Sequence, residues 1–169
     1  MNIRKTLWML LLLPTILVGQ EKGINKEFAQ ELKNLIRGTV PTITVEELEG
    51  ISEDVIILDT REKAEYDVSR IPGAHYIGYS DFNIEEIPAE WKDREIVVYC
   101  SVGYRSEKIG EELMGAGIKQ VKNLYGSIFA WANAGLPLQN SEGEETKLIH
   151  TYDNNWGKWM INKGLMKIW

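Results

Sequence analysis

Along most of the chain, short apolar runs rich in β-branched residues alternate with longer stretches whose apolar positions recur every three or four residues, the pattern of strands interleaved with helices. Residues 21–37 carry Ile24, Phe28, Leu32, Leu35 and Ile36 at close to helical spacing ahead of Gly38, which predicts an amphipathic leading helix. A short β-branched stretch over 40–44, broken by Pro41, runs into Thr44-Val45-Glu46-Glu47, a capping box that opens a short helix. The run 55–58 reads as a strand buried on both faces, with a turn or helix over 62–66 after it. Ile71-Pro72-Gly73 predicts a turn, and 75–78 another short strand.

Residues 96–99, Ile-Val-Val-Tyr, form the most strand-like run. A glycine-containing loop over 100–105 follows, then a helix over 106–116 with Ile109, Leu113 and Met114 at helical spacing and Gly117 as its stop. A strand over 121–124 and a helix over 126–134 complete the series, closed by Gly135-Leu136-Pro137. This alternation predicts an α/β fold, a doubly wound parallel sheet with helices on both faces, in one domain over 41–138. Residues 20–40 become a helical N-terminal extension. Residues 139–169 divide into a polar linker over 139–146 and an aromatic tail. Trp and Met at helical spacing in that tail predict packing, with the leading helix as one partner; Lys158, Lys163 and Lys167 among the tryptophans leave a membrane-surface or partner-binding role as the alternative.

The first nineteen residues stand apart. Arg4 and Lys5 precede a nearly unbroken apolar run over 7–18 that ends at Gly19, the pattern of a secretory signal peptide. The run is well short of the ~20 residues a membrane-spanning helix needs, and Pro14 interrupts it. Export to the periplasm or medium is therefore expected, with no integral membrane segment after cleavage; the alternative is an uncleaved N-terminal anchor.

Hydrophobic residues make up 44% of the chain and charged residues 26%, as in an ordinary globular domain. The formal charge is −6, and loss of residues 1–19 leaves seventeen basic against twenty-five acidic residues, a formal −8. Nucleic acid is not an expected partner, because it requires a basic face. One cysteine, Cys100, excludes an internal disulfide, and with His75 and His150 far from it in sequence there is no zinc constellation. No metal or organic cofactor is expected.

Cys100 falls at the carboxyl end of the best strand, where open parallel sheets place their ligands. Ser101-Val102-Gly103-Tyr104-Arg105 follow it in a loop short enough to turn backbone N–H groups toward the sulfur. The next helix, opening near Ser106, adds its positive end, and Arg105 adds a full charge. All three lower a thiol pKa from ~8.5 and make the thiolate the resting form.

The pieces Leu58-Asp59-Thr60-Arg61, Ile71-Pro72-Gly73-Ala74-His75, Tyr99 through Ser106 and Trp131 through Pro137, in this order, resemble the rhodanese-like sulfurtransferases over roughly 42–137. The resemblance implies that Cys100 takes the outer sulfur of a small sulfur-containing anion such as thiosulfate, becomes a persulfide, and passes the sulfur to a thiol or to cyanide. It assigns Ser101, Val102, Gly103, Tyr104 and Arg105 to substrate binding and Asp59, Arg61 and Ser106 to support. Ser69-Arg70 stand where many relatives carry Gly-His. The four residues between Cys100 and Arg105 are one fewer than a phosphatase Cys-x5-Arg loop uses, too tight for phosphate.

Several readings stay open. Arg105 either binds an anionic donor or turns inward to pair with an acid that holds the loop. Asp59 and Arg61 suit mutual pairing that fixes neighbouring loops. The hydroxyls of Ser101 and Tyr104 either meet substrate or face solvent, and His75 and His150 read better as structural than as proton donors. The functional alternative to an enzyme is a sulfur-relay or redox-sensing module that holds sulfur at Cys100 without turnover. For the N-terminal segment, mass spectrometry of the exported protein should find a mature N-terminus near Gly19 or Gln20; an intact Met1 would mean an anchor.

Overall fold

The computed structural model describes residues 21–169; the signal-like segment lies outside them. Five helices and seven strands follow in the order α1 (Lys26–Leu35), β1 (Thr42–Ile43), α2 (Val45–Ile51), β2 (Ile56–Asp59), α3 (Lys63–Val68), β3 (His75–Tyr76), β4 (Ile96–Tyr99), α4 (Tyr104–Gly115), β5 (Val121–Leu124), α5 (Ser127–Asn133), β6 (Leu148–His150) and β7 (Met166–Ile168). The main sheet has the order β1-β5-β4-β2-β3 with every pair parallel. Both β2 and β4 are buried at all four positions, as strands covered on both faces must be.

Alternation along those strands divides the core into two layers. Ile57, Val97 and Tyr99 pack with Phe28 and Leu32 of α1, Leu48 of α2 and Ile128 and Phe129 of α5. Ile56, Leu58, Ile96 and Val98 pack with Ile109 and Leu113 of α4. Helices therefore cover both faces, as the alternation predicts. The register pairs Asp59 with Tyr99, so the chain leaves β2 and β4 side by side at the carboxyl edge, and the residues just beyond them meet.

Local chemistry sets the helix starts. The α1 cap is Asn25, whose Oδ1 accepts from the Phe28 N–H at 2.8 Å. The capping box at α2 forms in both directions: Thr44 Oγ1 accepts from the Glu47 N–H at 3.2 Å, and Glu47 Oε2 from the Thr44 N–H at 2.8 Å. Two strands are shorter than expected, with β1 and β3 reduced to two residues each. The fourth helix starts at Tyr104 instead of Ser106, because Gly103 at φ +119° turns the chain straight into it; glycine alone adopts this at little cost.

The segment 139–146 is an ordered turn. Gln139 bridges to Arg70 and Glu145, and Asn140 Oδ1 accepts from the N–H groups of Glu142 and Glu144. The aromatic tail is not helical. It folds as a parallel pair, β6 with β7, joined through a 3-10 turn at Trp156–Trp159. Trp159 stacks on Phe28 of the leading helix with ring centroids 5.4 Å apart, and Ile149 and Met160 enter the core. Asn133 on α5 binds both extensions: its Nδ2 donates to the carbonyls of Gly23 and Trp159, and its Oδ1 accepts from the N–H groups of Ile161 and Asn162. No helix among the described residues is long and apolar enough to cross a membrane.

Phe28→Ala removes a buried ring that joins leading helix, tail and core. A loss of about 3–5 kcal/mol is expected from equilibrium urea unfolding, and a loss under ~1 kcal/mol would show that the extension is only loosely attached.

Candidate functional site

Cys100 follows β4 directly and is fastened before any chemistry is considered. Its N–H donates to Ser127 Oγ (3.1 Å), and its carbonyl accepts from the Ile128 N–H (3.2 Å) while that of Ser101 accepts from Phe129 (3.2 Å). Strand β4 and the start of α5 thus fix the first turn of the loop. Gly103 fixes the second: its N–H donates to Cys100 Sγ at 3.1 Å and its carbonyl accepts from Asn123 Nδ2 at 2.9 Å. The φ of +119° demands glycine at 103, and a Cβ there would also stand 2.8 Å from Ile36 Cδ1, so that side chain would have to shift.

The sulfur is almost buried, yet it lines a cavity of about 590 Å³. Burial pushes the thiol pKa up, but the Arg105 charge and the N–H groups of Ser106 and Gly103 outweigh it, and the net shift is downward. The sequence expectation of amides converging from the whole loop narrows to these two. Ser106 is near enough to assist through its hydroxyl as well, although that proton goes to Asn123 Oδ1 at 2.7 Å.

Arg105 turns inward. Its Nη1 donates to Glu65 Oε2 at 2.7 Å and its Nη2 to Oε1 at 2.8 Å, a bidentate pair. Ser101 closes the triangle, accepting from Arg105 Nη2 (3.0 Å) and donating to Glu65 Oε1 (3.1 Å). Burial alone would raise the Glu65 pKa, but hydrogen bonding and charge from Arg105 bring it below the usual carboxylate range. Of the two readings of Arg105, loop-holding is the one this geometry carries out, and the Ser101 hydroxyl serves the same contact.

Asp59 and Arg61 sit deeper and are fully buried. Arg61 Nη2 donates to Asp59 Oδ2 at 2.6 Å and to the Ser69 carbonyl at 2.6 Å, and the Tyr99 hydroxyl donates to Asp59 Oδ2 at 2.6 Å. That hydroxyl also accepts from the Ile71 N–H at 3.2 Å, so the network ties β2, β4 and the turn before β3 together. These residues touch Glu65 only electrostatically and none lines the cavity.

Among the other expected residues, Val102 lines the cavity and belongs to the core, and the half-exposed ring of Tyr104 stands in the wall. His75 packs against Trp91 with the rings tilted and their centroids 5.0 Å apart, away from the cavity. His150 Nδ1 accepts from the Tyr152 N–H at 3.0 Å, and the Tyr152 ring covers the Arg105 guanidinium at 5.4 Å. Glu65, Leu35, Tyr152 and Trp156 were not among the sequence candidates. The first had a signal: an acid shortly after β2 is the natural partner for a cation after the adjacent β4. The other three lie far from Cys100 in sequence, and only the packing of both extensions brings them to it.

A family model described as the rhodanese-like domain matches residues 44–134. The chain belongs to this family. A "Sulfurtransferase" of Allochromatium vinosum is 41% identical over 97 residues, covering 54% of this chain and 85% of that protein. A tRNA uridine(34) hydroxylase of Streptococcus thermophilus is 36% identical over 88 residues, covering 48% of this chain and 26% of the relative. The chain thus spans about a quarter of that hydroxylase's length. Among solved structures, a rhodanese-related protein from Thermoplasma volcanium matches with a TM-score of 0.53 at 25% identity, over 58% of this chain and 96% of that one.

Arg105→Met removes the cation nearest the sulfur and leaves Glu65 unneutralised. Both changes disfavour the thiolate, so the midpoint of pH-dependent alkylation at Cys100 should move to higher pH. An unmoved midpoint would assign the stabilisation to the amides of Gly103 and Ser106 alone.

Proposed function

We propose that this rhodanese-like protein is a sulfurtransferase that moves sulfane sulfur from a donor such as thiosulfate to a thiol or cyanide through a persulfide on Cys100. The observation that carries the reading is the lowered pKa of a thiol that accepts a Gly103 N–H at 3.1 Å and opens onto a cavity. In the first half-reaction the Cys100 thiolate attacks the outer sulfur of the donor. A new S–S bond forms as the donor's S–S bond breaks, and its electron pair leaves on sulfite when thiosulfate is the donor. In the second, an acceptor thiolate or cyanide attacks the outer persulfide sulfur and returns Cys100 as thiolate.

The chain's own groups act on charge at both stages. Gly103 and Ser106 present N–H dipoles to the Cys100 thiolate, the charge that attacks in the first half-reaction and is regenerated in the second, with no rearrangement needed at the moment of reaction. The Glu65–Arg105–Ser101 triangle keeps the loop in that geometry. The apolar run over 7–18 supports a periplasmic or secreted location.

Cys100→Ser should eliminate the gain of one sulfur atom that intact-protein mass spectrometry is expected to find on the wild-type protein after thiosulfate treatment. The hydroxyl is nearly isosteric but does not ionise near neutral pH, so circular dichroism should be unchanged. Retention of thiocyanate production by the variant would remove Cys100 from the mechanism, whereas wild-type loading without turnover would favour a relay.

A further inference from the structure

The cavity over Cys100 is far roomier than transfer from an inorganic anion requires. Thiosulfate is a sulfonate with one added sulfur, whereas about 590 Å³ falls within the ~300–1,000 Å³ typical of sites for organic ligands. Much of the wall is aliphatic or aromatic: Leu35 from α1, Tyr79, Tyr104, and Tyr152 and Trp156 from the C-terminal segment. Leu35, Tyr152 and Trp156 all lie outside the residues that the family model matches, so the family pattern does not account for this part of the wall.

Charge points the same way. The charged residues of the lining are Glu62 and Arg105, and both terminal nitrogens of Arg105 are already engaged by Glu65. A dianion entering here would meet a sulfur anion and a carboxylate, with the one lining cation neutralised by its partner. An apolar body would instead find rings and a leucine to cover it.

Tyr152 shows that the wall is held in place at a cost. It is not glycine, yet its φ is +66°, a region that side chains rarely adopt and that clusters at functional positions. The hydrogen bond to His150 Nδ1 and the contact with Arg105 hold its ring over the guanidinium.

Building on the sulfur-transfer reading, we propose that the donor is an organic persulfide, R–S–SH with an apolar R, whose body lies against Leu35, Tyr152 and Trp156 while its outer sulfur reaches Cys100. The thiolate attacks the outer sulfur, and an S–S bond to Sγ forms as the carrier's S–S bond breaks. The electron pair leaves on R–S⁻, which takes a proton from water. Cys100 rises to the persulfide level as the carrier falls to a thiol, so no external oxidant is involved.

The test compares three donors on the mature protein: benzyl persulfide, methyl persulfide and thiosulfate. Second-order rates of persulfide formation at Cys100 are read by intact mass; the two persulfides are compared after each is divided by its own rate with glutathione, which removes intrinsic reactivity, and thiosulfate is compared by its uncorrected rate. Benzyl persulfide is expected to exceed methyl persulfide by about tenfold or more, with thiosulfate slowest. Tyr152→Asn and Leu35→Ala should each narrow the benzyl-to-methyl ratio to below about threefold, and asparagine tolerates a positive φ, so the first variant keeps its turn. Equal benzyl and methyl rates, thiosulfate as the fastest donor, or a ratio unchanged in both variants would overturn the proposal while leaving sulfur transfer intact. If no donor loads Cys100, the sulfur-transfer reading itself fails.

Discussion

An anion held almost out of water is the constraint around which this site is arranged. Burial of Cys100 Sγ opposes its ionisation, and the shift is nevertheless downward because a guanidinium and two amide dipoles face the atom. Each of those groups has to be fixed independently of the sulfur. Gly103 is fixed by its own backbone angle and by Asn123, and Arg105 by both carboxylate oxygens of Glu65. The opposing carboxylate is what keeps a flexible arginine in one place, and it also tempers the field that the arginine supplies.

Behind that layer stands a second ion pair with a different task. Asp59, Arg61 and Tyr99 carry charge and polarity through a fully buried position and pair with one another, with Ser69 and Ile71 as backbone partners, while Arg61 Nη1 is left without a hydrogen-bond partner. Burial disfavours the Arg61 cation, but Asp59 more than compensates and the pKa moves upward. Loss of either partner alone would strand a charge in the interior, at roughly 3–5 kcal/mol. The network belongs to the framework that places β2 beside β4, and so decides where Glu65 and Cys100 meet.

Much of the architecture was legible because the strands are short, β-branched and buried on both faces, and because Thr44, Gly117 and the 135–137 turn mark element ends clearly. Cys100 was legible for the same reason, since position after a central strand already sets its surroundings. Helix α4 was misplaced at its start because Tyr104 and Arg105 look like loop until Gly103 is known to turn the chain. The packing of the tail on the leading helix was legible in its Trp and Met positions, but its form was not: Asn133 and Phe28 supply partners that an extended chain and a 3-10 turn satisfy. Tertiary contacts decided that segment, and no local pattern encodes them.

The Asn133 clasp has an implication for how this protein can be divided. A fragment trimmed to the portion shared with its relatives would keep every strand of the main sheet except β1, the whole Cys100 loop and α5. It would also bare the side of α5 and the sheet that Phe28, Leu32, Ile149 and Met160 cover, and leave the carboxamide of Asn133 with none of the four backbone partners from residues 23, 159, 161 and 162. The segments 21–40 and 139–169 thus pack into the same interior as the main sheet, and excision boundaries drawn from family likeness alone would cut through it.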